Sequence, residues 1–553
     1  MKRYFLIIST LIISLVTFAQ PSWVKKATKS VFTLKTFSAD GALIGSSTGF
    51  YISPDGVAVS SFAPFKGASR AIIIDAAGKE YPVSYLLGAN ETYDVAKFKV
   101  EAKKLQPLTI VDDQLAAGNA VWLLPYREVK HVTKGTVSNT ETFNKSYHYY
   151  TLDLQTNEQH VGAPLLNDAG EVVAILQPST GSESASYAVS ARYADSLHIT
   201  GLSINDPVLR STKVKKALPD DEAQALLTLY VAGTSLDSLA YVQLVDDFIE
   251  KFPASSEGYV YRAQLAADGK DYASADQYME KALKVAAHPD EVHFSYSRMI
   301  YQTALYQTQP LGGWTFDKAL AEAEAALAAR QMAVYGQQKA YVLYAQKKYD
   351  EAYHVYEQLF DSVMLQPALF YEASRCKQQL NDTTAQLALL DRAVDHFSKP
   401  YLKEAAPYLL ARAQANSSAG NYRKAVLDLN DYESLMRTQV NAYFYYVRFQ
   451  AEVGGRLFQQ ALNDIDRAIT MEPQNALYPA EKASLQVRVG QYAEAELTAA
   501  ECIRLAPDQS DGYLFLGLAQ CLQGKKAEGA KNLQRASEMG DPQAASLIER
   551  YSK

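Results

Sequence analysis

The spacing of apolar residues along the chain changes once, near residue 200. Between residues 28 and 200, short runs rich in Val, Ile, Thr and Tyr are separated by Gly, Asp and Asn, which is typical of β-strands joined by turns. From about residue 221 onward, Ala, Leu, Tyr and Glu dominate, and the apolar residues follow the spacing of one α-helix face. The sequence therefore predicts a β-rich half followed by an α-helical half.

The helical half contains an internal repeat. The two clearest copies read Phe458-x2-Ala461-x3-Ile465-x2-Ala468-x4-Pro473 and Tyr492-x2-Ala495-x3-Ala499-x2-Cys502-x4-Pro507. Weaker copies place the small-residue position at Tyr241, Ala275, Ala319, Ala352, Gln386, Ala425 and Gly529, with 33 to 44 residues between successive positions. A small residue lets two helices approach closely, and the aromatic residue fills the space beside them. Proline ends the second helix because it has no N–H to donate.

A repeat of about 34 residues with this pattern resembles the tetratricopeptide repeat. The resemblance implies a solenoid of about nine helix pairs, whose first helices build a concave surface that holds a protein or peptide partner. On this frame, the side chains placed on that surface are Tyr341, Tyr344, Tyr371, Arg375, Gln414, Tyr446 and Gln450. Tyrosine and arginine are frequent binding anchors because they combine a large contact area with a polar end. The alternative is that many of the 38 tyrosines only fill the space between helices.

The charge of the chain argues against a nucleic-acid partner. The 54 basic and 61 acidic residues give a formal net charge of −7, and no basic run is longer than the cluster at residues 213–216. A protein that binds nucleic acid needs a basic stripe or patch to neutralise the phosphates. The apolar fraction of 48% and the charged fraction of 21% are those of an ordinary folded protein.

The amino terminus has the layout of a secretory signal peptide. A basic start is followed by an apolar stretch from Phe5 to Phe18 and then by Ala19, which predicts cleavage before Gln20. The alternative is a membrane anchor, but such a stretch covers only about 21 Å of a hydrocarbon core that is roughly 30 Å thick. We therefore expect an exported protein, periplasmic or associated with the cell envelope, with no transmembrane segment after cleavage.

The cysteine and histidine residues do not predict a metal or cofactor site. The three cysteines, Cys376, Cys502 and Cys521, fall inside the helical repeats, and no pair has the spacing of metal ligands. The histidines are scattered singly. A disulfide between Cys502 and Cys521 and buried free thiols both stay open at this point, with free thiols favoured. We expect no metal and no cofactor.

Four segments of the β half carry a resemblance to a known family. Residues 48–60 form a predicted hairpin around Pro-Asp-Gly, and residues 90–100 read as a strand that begins after an aspartate. Residues 153–167 and 170–175 follow in the same order. Together these segments resemble the trypsin-like peptidases of the bacterial HtrA kind over about 170 residues. The resemblance implies a trypsin-like double β-barrel.

The resemblance also implies where the catalytic residues of that family would stand. Such peptidases need a serine nucleophile, a histidine that takes its proton and an aspartate that orients the histidine. The aspartate position is Asp94, but the histidine position is Ala63 and the serine position is Val161. Gln159 replaces a glycine whose flexibility helps to point an N–H into the oxyanion hole. We therefore expect a pseudoprotease, unless His160 reaches Asp94 and serves as a base.

The sequence predicts five segments in order. These are a signal peptide (1–19), a trypsin-like double β-barrel (20–202), a polar linker (203–224), a tetratricopeptide-type solenoid (225–541) and a capping helix (542–553). The favoured hypothesis is an exported scaffold protein that binds other proteins through its solenoid. The alternative is a divergent serine-type peptidase of the HtrA kind that uses other catalytic residues.

Overall fold

The structure is a computed structural model of the chain. It describes residues 20–102, 105–112, 114–126, 132–144, 146–179, 185–306, 312–361 and 366–551. The predicted signal peptide, residues 1–19, lies outside the described residues. The chain divides into two compact units, Met1–Leu265 and Ala266–Lys553. Across the ranges given above, no helix has both the length and the apolar character that crossing a bilayer requires.

The first unit contains a closed barrel of six antiparallel strands, which pair in the order β1-β2-β3-β6-β5-β4. The strands are β1 (Val31–Phe37), β2 (Leu43–Tyr51), β3 (Val57–Ser60), β4 (Arg70–Ile74), β5 (Glu80–Asn90) and β6 (Val95–Val100). In β1, Phe32 and Leu34 are fully buried, whereas Thr33 and Lys35 are half-buried. This alternation follows from the two-residue period of a strand, which sends successive side chains to opposite faces.

A second closed barrel of six antiparallel strands follows, paired in the order β10-β11-β12-β9-β8-β7. The strands are β7 (Ala120–Leu123), β8 (Thr133–Phe143), β9 (Tyr147–Asp153), β10 (Pro164–Leu166), β11 (Val172–Leu176) and β12 (Ser186–Ser190). All five residues of β11 are buried, because this strand lies between the barrel interior and a second apolar cluster. The predicted double β-barrel is therefore confirmed.

Short helices connect the strands of the first unit. Its two short α-helices are α1 (Val24–Ala27) and α2 (Pro207–Arg210), and its 3₁₀ helices are Thr28–Ser30, Ala63–Phe65, Glu158–His160, Ala191–Ser196 and Ser203–Asn205. Two of these 3₁₀ helices, Ala63–Phe65 and Glu158–His160, carry positions that the sequence singles out. The path of the backbone through these two turns therefore decides the geometry of the candidate site.

The segment predicted as a polar linker, residues 203–224, packs against the first barrel. Leu209 and Val214 belong to the core of that barrel. The N–H of Leu86 donates to the carbonyl of Lys215 over 2.8 Å, and the N–H of Ala217 donates to the carbonyl of Leu86 over 2.8 Å. The first compact unit also extends to Leu265 and includes two helices that the sequence assigns to the solenoid. Polar composition alone did not predict this packing, because two buried side chains suffice to anchor the segment.

Helices occupy the rest of the described chain. Those of the first unit are α3 (Glu222–Ala232) and α4 (Ser238–Lys251), and α5 (Ser256–Asp268) includes the boundary between the units. Those of the second unit are α6 (Tyr272–Val285), α7 (Pro289–Tyr306), α8 (Phe316–Ala329), α9 (Ala333–Ala345), α10 (Tyr349–Gln358), α11 (Gln366–Gln379), α12 (Thr383–Asp395), α13 (Ala406–Ser418), α14 (Tyr422–Met436), α15 (Ala442–Gly454), α16 (Phe458–Met471), α17 (Leu477–Arg488), α18 (Tyr492–Leu505), α19 (Ser510–Leu522), α20 (Lys526–Glu538) and α21 (Ala544–Tyr551).

Within the second unit, each helix packs against the next one along the chain, and α7 also packs on α9, α17 on α19, and α19 on α21. Contacts that stay between near neighbours in sequence are consistent with an α-solenoid. The predicted order, a double β-barrel followed by consecutive helices, is therefore confirmed as the fold class.

Most residues at the small-residue position of the repeat are buried. Six of them are fully buried, namely Ala275, Ala319, Ala352, Ala425, Ala461 and Ala495. At Gly529, a β-carbon would overlap the sulfur of Cys521 and would lie 2.7 Å from the carbonyl oxygen of Gly517. The two weakest copies, Tyr241 and Gln386, are only half-buried, which fits their larger side chains. Close helix approach therefore explains why the repeat keeps a small residue.

Candidate functional site

Asp94 stands in the turn between β5 and β6. Its backbone adopts a φ of 46°, in the left-handed region, where aspartate and asparagine are tolerated better than most residues. The turn is held by the N–H of Tyr93, which donates to the Asn90 side chain over 2.8 Å. This conformation directs the aspartate toward the end of β3.

The Asp94 carboxylate accepts two short hydrogen bonds from the segment after β3. The Ser61 hydroxyl donates over 2.5 Å to Oδ2, and the backbone N–H of Ala63 donates over 2.6 Å to Oδ1. Burial raises the pKa of Asp94 above its usual value, and the hydrogen bonds from Ser61 and Ala63 partly offset that rise. Both carboxylate oxygens therefore hold the Ala63 turn in place.

Ala63 begins the 3₁₀ helix Ala63–Phe65 and is exposed. The turn is anchored by the buried rings of Phe62 and Phe65, and by the Thr36 hydroxyl, which donates to the carbonyl of Pro64 over 2.5 Å. The backbone at this position is therefore well held, but the side chain is a single methyl group. A methyl group cannot accept a proton.

Val161 lies directly after the 3₁₀ helix Glu158–His160 and is half-buried. Its carbonyl accepts the N–H of Thr48 over 2.9 Å, and the Thr48 hydroxyl donates to the carbonyl of Gln159 over 2.9 Å. Thr48 in β2 thus binds the loop of the second barrel to the first barrel at two points. The side chain at position 161 is a hydrocarbon, which cannot attack a carbonyl.

Gly162 allows this close approach between the two barrels. Its φ is +82°, and a β-carbon at this position would overlap the carbonyl oxygen of Thr48 and lie 2.9 Å from the N–H of Ser61. Only glycine combines that backbone conformation with no side chain. The segment carrying Val161 is therefore held against the ends of β2 and β3, next to the Ser61–Asp94 pair.

The resemblance places the N–H groups of Gln159 and Val161 at the oxyanion hole, and both groups already have acceptors inside the loop. The N–H of Gln159 donates to the Asn157 side chain over 3.0 Å, and the N–H of Val161 donates to the carbonyl of Glu158 over 3.3 Å. Asn157 is the amino-terminal cap of this 3₁₀ helix. An oxyanion hole requires free N–H groups that point at the developing charge. In this arrangement both groups are turned into the loop.

His160 is buried and belongs to the same cap. Its Nδ1 accepts the N–H of Asn157 over 3.4 Å, so that Asn157 and His160 cap each other's backbone. Asp94 is bound to Ser61 and Ala63, whereas this contact of His160 is made with Asn157. The imidazole thus has a structural role in shaping the loop.

Four of the seven side chains predicted on the concave surface lie close together. Arg375 lies over the ring of Tyr344, with 4.8 Å between the guanidinium carbon and the ring centre. The charge of Arg375 partly offsets the rise that burial causes in the pKa of Tyr341. Tyr371 is one of the groups that raise the pKa of the Arg375 guanidinium. These residues come from the first helices of two successive pairs, α9 and α11.

The other three predicted side chains lie on α13 and α15. Gln414 and Gln450 are exposed, and Tyr446 is half-buried. The Tyr446 hydroxyl donates to Glu481 over 3.1 Å, and burial followed by the Glu481 charge raises the pKa of Tyr446 to about 12. The exposed pair is accessible to a partner, whereas Tyr446 is already engaged with α17.

The sequence did not single out three residues that stand beside these four, namely Tyr301, Glu372 and Tyr408. Tyr301 stacks on Tyr341 with ring centres 6.3 Å apart, and Tyr408 packs edge-on against Tyr371 at 5.9 Å. Glu372 forms an ion pair with Arg375 over 2.9 Å. The only signal for Glu372 in the sequence was its position one residue after a tyrosine and three before an arginine, and that spacing does not predict burial.

The three cysteines are free thiols and are buried. Burial raises the pKa of the Cys376 thiol to about 12 and that of the Cys502 thiol to about 11. Such thiols are poor nucleophiles, because the reactive form is the thiolate. No group of three or more potential ligand side chains that could hold a metal ion occurs among the residues described.

Comparisons with known proteins concern the β half. Residues 47–175 match the model of the trypsin-like peptidase domain family. A probable periplasmic serine endoprotease, DegP-like, of Halomonas elongata is 31% identical over 23% of this chain and 28% of its own length. A protein of the same description from Chlamydia pneumoniae is 24% identical over 42% of this chain and 48% of its own length. The chain thus spans less than half the length of these relatives.

Among solved structures, the serine endoprotease from Yersinia pestis is 22% identical, with a TM-score of 0.28, over 34% of this chain and 65% of its own. The family match covers β2 to β11 and includes Ala63, Asp94 and Val161. The chain contains a trypsin-like peptidase domain, followed by a carboxy-terminal region of consecutive helices.

Proposed function

We propose that this protein is an exported scaffold, whose trypsin-like domain does not cleave peptide bonds and whose helical region holds a partner protein. In this proposal the barrels serve as a rigid module, and residues 225–541 form a tetratricopeptide-type solenoid that makes the binding surface. The domain limits predicted from the sequence, residues 20–202 for the barrels and 542–553 for the cap, belong to the same proposal.

The observation that carries the proposal is the set of contacts around Asp94. Peptide hydrolysis of the trypsin type needs a nucleophile and a base that takes its proton. Ala63 offers a methyl group at the position of the base, and Val161 offers an isopropyl group at the position of the nucleophile. The Asp94 carboxylate, which would orient a base, accepts hydrogen bonds from Ser61 and from the backbone of Ala63 instead.

The loop before Val161 adds a second argument for inactivity. Removal of one oxyanion-hole donor from a serine protease costs about 10² to 10³ in kcat. Here the N–H groups of both Gln159 and Val161 donate within the loop. A nucleophile that attacks a substrate beside this loop would therefore lack these two donors for the charge that develops on the substrate oxygen.

Two observations support export. The first 19 residues have the composition of a signal peptide, with a basic start and an apolar stretch that ends at Ala19. The relatives of the β half are described as periplasmic proteins. We therefore place the protein in the periplasm or at the cell envelope.

The binding role of the helical region rests on the chemistry of its predicted concave side. Exposed or half-buried Tyr, Gln and Arg side chains occur at corresponding positions of successive helix pairs, as in Tyr341, Arg375, Gln414 and Gln450. Such side chains provide contact area together with hydrogen-bonding ends. A partner in an extended conformation would meet several of them in turn.

The first experiment tests whether the protein is a peptidase. The full chain is incubated with a serine-directed fluorophosphonate probe and with casein, and the serine endoprotease from Yersinia pestis serves as the positive control. We expect neither labelling nor cleavage by this protein. Cleavage that disappears in Asp94→Asn or Ser61→Ala would overturn the proposal and establish the divergent peptidase.

The second experiment tests the binding role. The full chain is used to capture proteins from an envelope extract, and so is a double variant, Gln414→Glu with Gln450→Glu, which adds charge to two exposed positions of the predicted surface. Gln460→Glu, at an exposed position of α16 outside the predicted surface, is the control. We expect the double variant to lose a partner that the control keeps. If all three proteins capture the same partners equally well, the predicted concave surface is not the binding site.

A further inference from the structure

A cavity of about 480 Å³ opens on the second unit between α7 and α9. It is lined by Tyr301, Gln302, Leu305 and Tyr306 from α7 and by Tyr341 from α9. The rings of Tyr301 and Tyr341 are stacked at 20°, with centres 6.3 Å apart. Tyr306 is 85% exposed, so one wall of the cavity meets solvent. We call this space the tyrosine cavity.

A largely buried carboxylate stands beside the tyrosine cavity. The Glu372 side chain is 16% exposed, and burial raises the pKa of its carboxyl group even though Arg375 lies 2.9 Å away. The Glu372 charge, after burial, also raises the pKa of the hydroxyl of Tyr341 to about 12 and raises that of Tyr301 as well. Contacts also connect Glu372 to this part of α9, because its ion-pair partner Arg375 lies 4.8 Å from the ring centre of Tyr344, one helical turn after Tyr341.

Arg375 compensates this carboxylate only in part. Its guanidinium lies over the ring of Tyr344, 4.8 Å from the ring centre, and its side chain is 42% exposed. The positive charge is thus shared between Tyr344, solvent and Glu372. The cavity walls provided by Tyr301 and Tyr341 lie on α7 and α9, whereas Glu372 and Arg375 both lie on α11.

The chemistry of this arrangement favours a cation. The face of an aromatic ring carries partial negative charge, and a cation placed within about 6 Å of the ring centre is attracted to it. A desolvated carboxylate beside such rings adds to that attraction, because the interior screens charge less than water does. The volume is also large enough for a long side chain with part of its backbone.

We propose that the tyrosine cavity binds a lysine or arginine side chain of the partner protein, which packs against the exposed parts of the rings of Tyr301 and Tyr341 and is attracted by Glu372. This inference rests on the proposed function and specifies its ligand. An acidic partner side chain paired with Arg375 is the competing chemistry. It is disfavoured because Arg375 already has Glu372 as its counter-ion and Tyr344 beneath its guanidinium.

The test uses the full chain and five fluorescein-labelled peptides of the form Gly-Ser-Ala-X-Ala-Ser-Gly-Ser, in which X is Lys, Arg, Gln, Glu or norleucine. Binding is measured by fluorescence anisotropy. We expect the Lys and Arg peptides to bind about tenfold more tightly than the Gln and norleucine peptides, which is the range of a partly desolvated cation–π contact.

Two variants and a matched control locate the effect. Glu372→Gln is expected to lose most of the preference for Lys and Arg, and Tyr301→Leu is expected to lose part of it because the ring face is removed. Glu351→Gln removes the same charge from an exposed position on α10 and should behave as the unmodified chain does. Circular dichroism of each variant shows whether it has kept its helices, and Tyr301→Phe keeps the ring if Tyr301→Leu does not fold.

The outcomes separate this inference from the proposed function. Equal binding of the Lys, Gln and norleucine peptides would overturn the tyrosine cavity as a cation site, even if the protein still captures a partner from extract. Tighter binding of the Glu peptide would assign the site to Arg375 and would overturn the inference in the same way. Selective binding of Lys and Arg that Glu372→Gln abolishes would support it, even if no partner were captured.

Discussion

The carboxylate of Asp94 accepts the backbone N–H of Ala63 over 2.6 Å. In a trypsin-like peptidase the aspartate orients a histidine side chain at this position. Here the same acid binds the main chain of a residue whose side chain has no polar atom. Hydrogen bonds thus hold the main chain around Asp94, although positions 63 and 161 carry only hydrocarbon side chains.

The first prediction concerns restoration of the missing groups. The double variant Ala63→His with Val161→Ser supplies the base and the nucleophile, but the backbone N–H groups at positions 159 and 161 stay bound within the loop. We expect it to react with a fluorophosphonate probe about 10² to 10³ times more slowly than a triple variant that also carries Gln159→Gly.

The rates are measured by in-gel fluorescence against time. A single variant, Ala63→His, is the control and should not react, because it has no nucleophile at position 161. Equal rates for the double and the triple variant would show that the Asn157 cap does not limit the oxyanion hole.

The second prediction concerns Gly162, which lets the two barrels approach each other. Gly162→Ala places a β-carbon against the carbonyl oxygen of Thr48 at a φ of +82°. Gly118→Ala has a similar φ of +90°, but nothing lies within 4 Å of its β-carbon. We expect Gly118→Ala to cost roughly 1 to 2 kcal/mol from backbone strain alone.

Gly162→Ala should cost about 2 kcal/mol more than Gly118→Ala, because overlap with backbone atoms adds to the strain. Differential scanning calorimetry of the full chain gives the comparison, and hydrogen exchange of the β2 amides shows whether the contact with Thr48 has opened. Equal costs would mean that the loop shifts freely away from β2.

The third prediction concerns the role of Asp94. Asparagine tolerates the left-handed backbone at this position, and its side-chain oxygen can still accept the N–H of Ala63. Because burial raises the pKa of Asp94, its ionised form is disfavoured in the folded state, and a neutral amide avoids that cost. We expect Asp94→Asn to be at least as stable as the unmodified chain at pH 7.

Asp94→Ala removes both acceptors and should cost about 1 to 3 kcal/mol, since the N–H of Ala63 and the hydroxyl of Ser61 lose their partner. The midpoints of thermal unfolding of the unmodified chain, Asp94→Asn and Asp94→Ala at pH 7 test both expectations. A loss of stability in Asp94→Asn as large as that in Asp94→Ala would show that the negative charge itself is required.

The fourth prediction concerns a buried acid in the helical region. Glu452 on α15 is 3% exposed, and burial, followed by the charge of Asp464, raises its pKa to about 8. The pKa is also lowered by the charges of Arg448 and Arg467 and raised by that of Glu433. When the pKa of an acid is higher in the folded than in the unfolded state, the protein becomes less stable as the pH rises from the unfolded pKa to the folded pKa.

We therefore expect Glu452→Gln to be more stable than the unmodified chain above pH 8, with the difference shrinking as the pH falls from 8 to about 4.5, the ordinary pKa of glutamate, and staying constant below that. Glutamine suits the site, because Gln486 occupies the corresponding position of the next repeat and is buried. Calorimetric midpoints between pH 4 and 9 test this, and a difference that does not change with pH would contradict it.

The sequence predicted the two fold classes because each has a local periodicity. The alternation along β1 and the small residues at Ala461 and Ala495 are visible without any knowledge of partners. The packing of residues 203–218 against β5 was not predicted, because it depends on two buried side chains, Leu209 and Val214, in a segment that is otherwise polar. The composition of a segment indicates its average solvent exposure, but it does not identify single buried side chains within the segment.

The group around Glu372 shows the same limit in the helical region. Tyr301 and Tyr341 lie about one repeat apart along the chain, and Tyr408 lies about two repeats after Tyr341, on helices α7, α9 and α13. Whether such residues face one another depends on how successive helix pairs are stacked. A repeat frame assigns helices to a surface, but it does not state which side chains meet across it.

The identities of residues 63 and 161, Ala and Val, can be read from the chain alone, and the proposal of an inactive trypsin-like domain starts from them. That the N–H groups of Gln159 and Val161 donate within their own loop, and that Glu372 is largely buried, is visible only in the folded protein. Hydrogen-bond direction and burial depend on atoms brought together from distant parts of the chain, and those contacts exist only once it has folded.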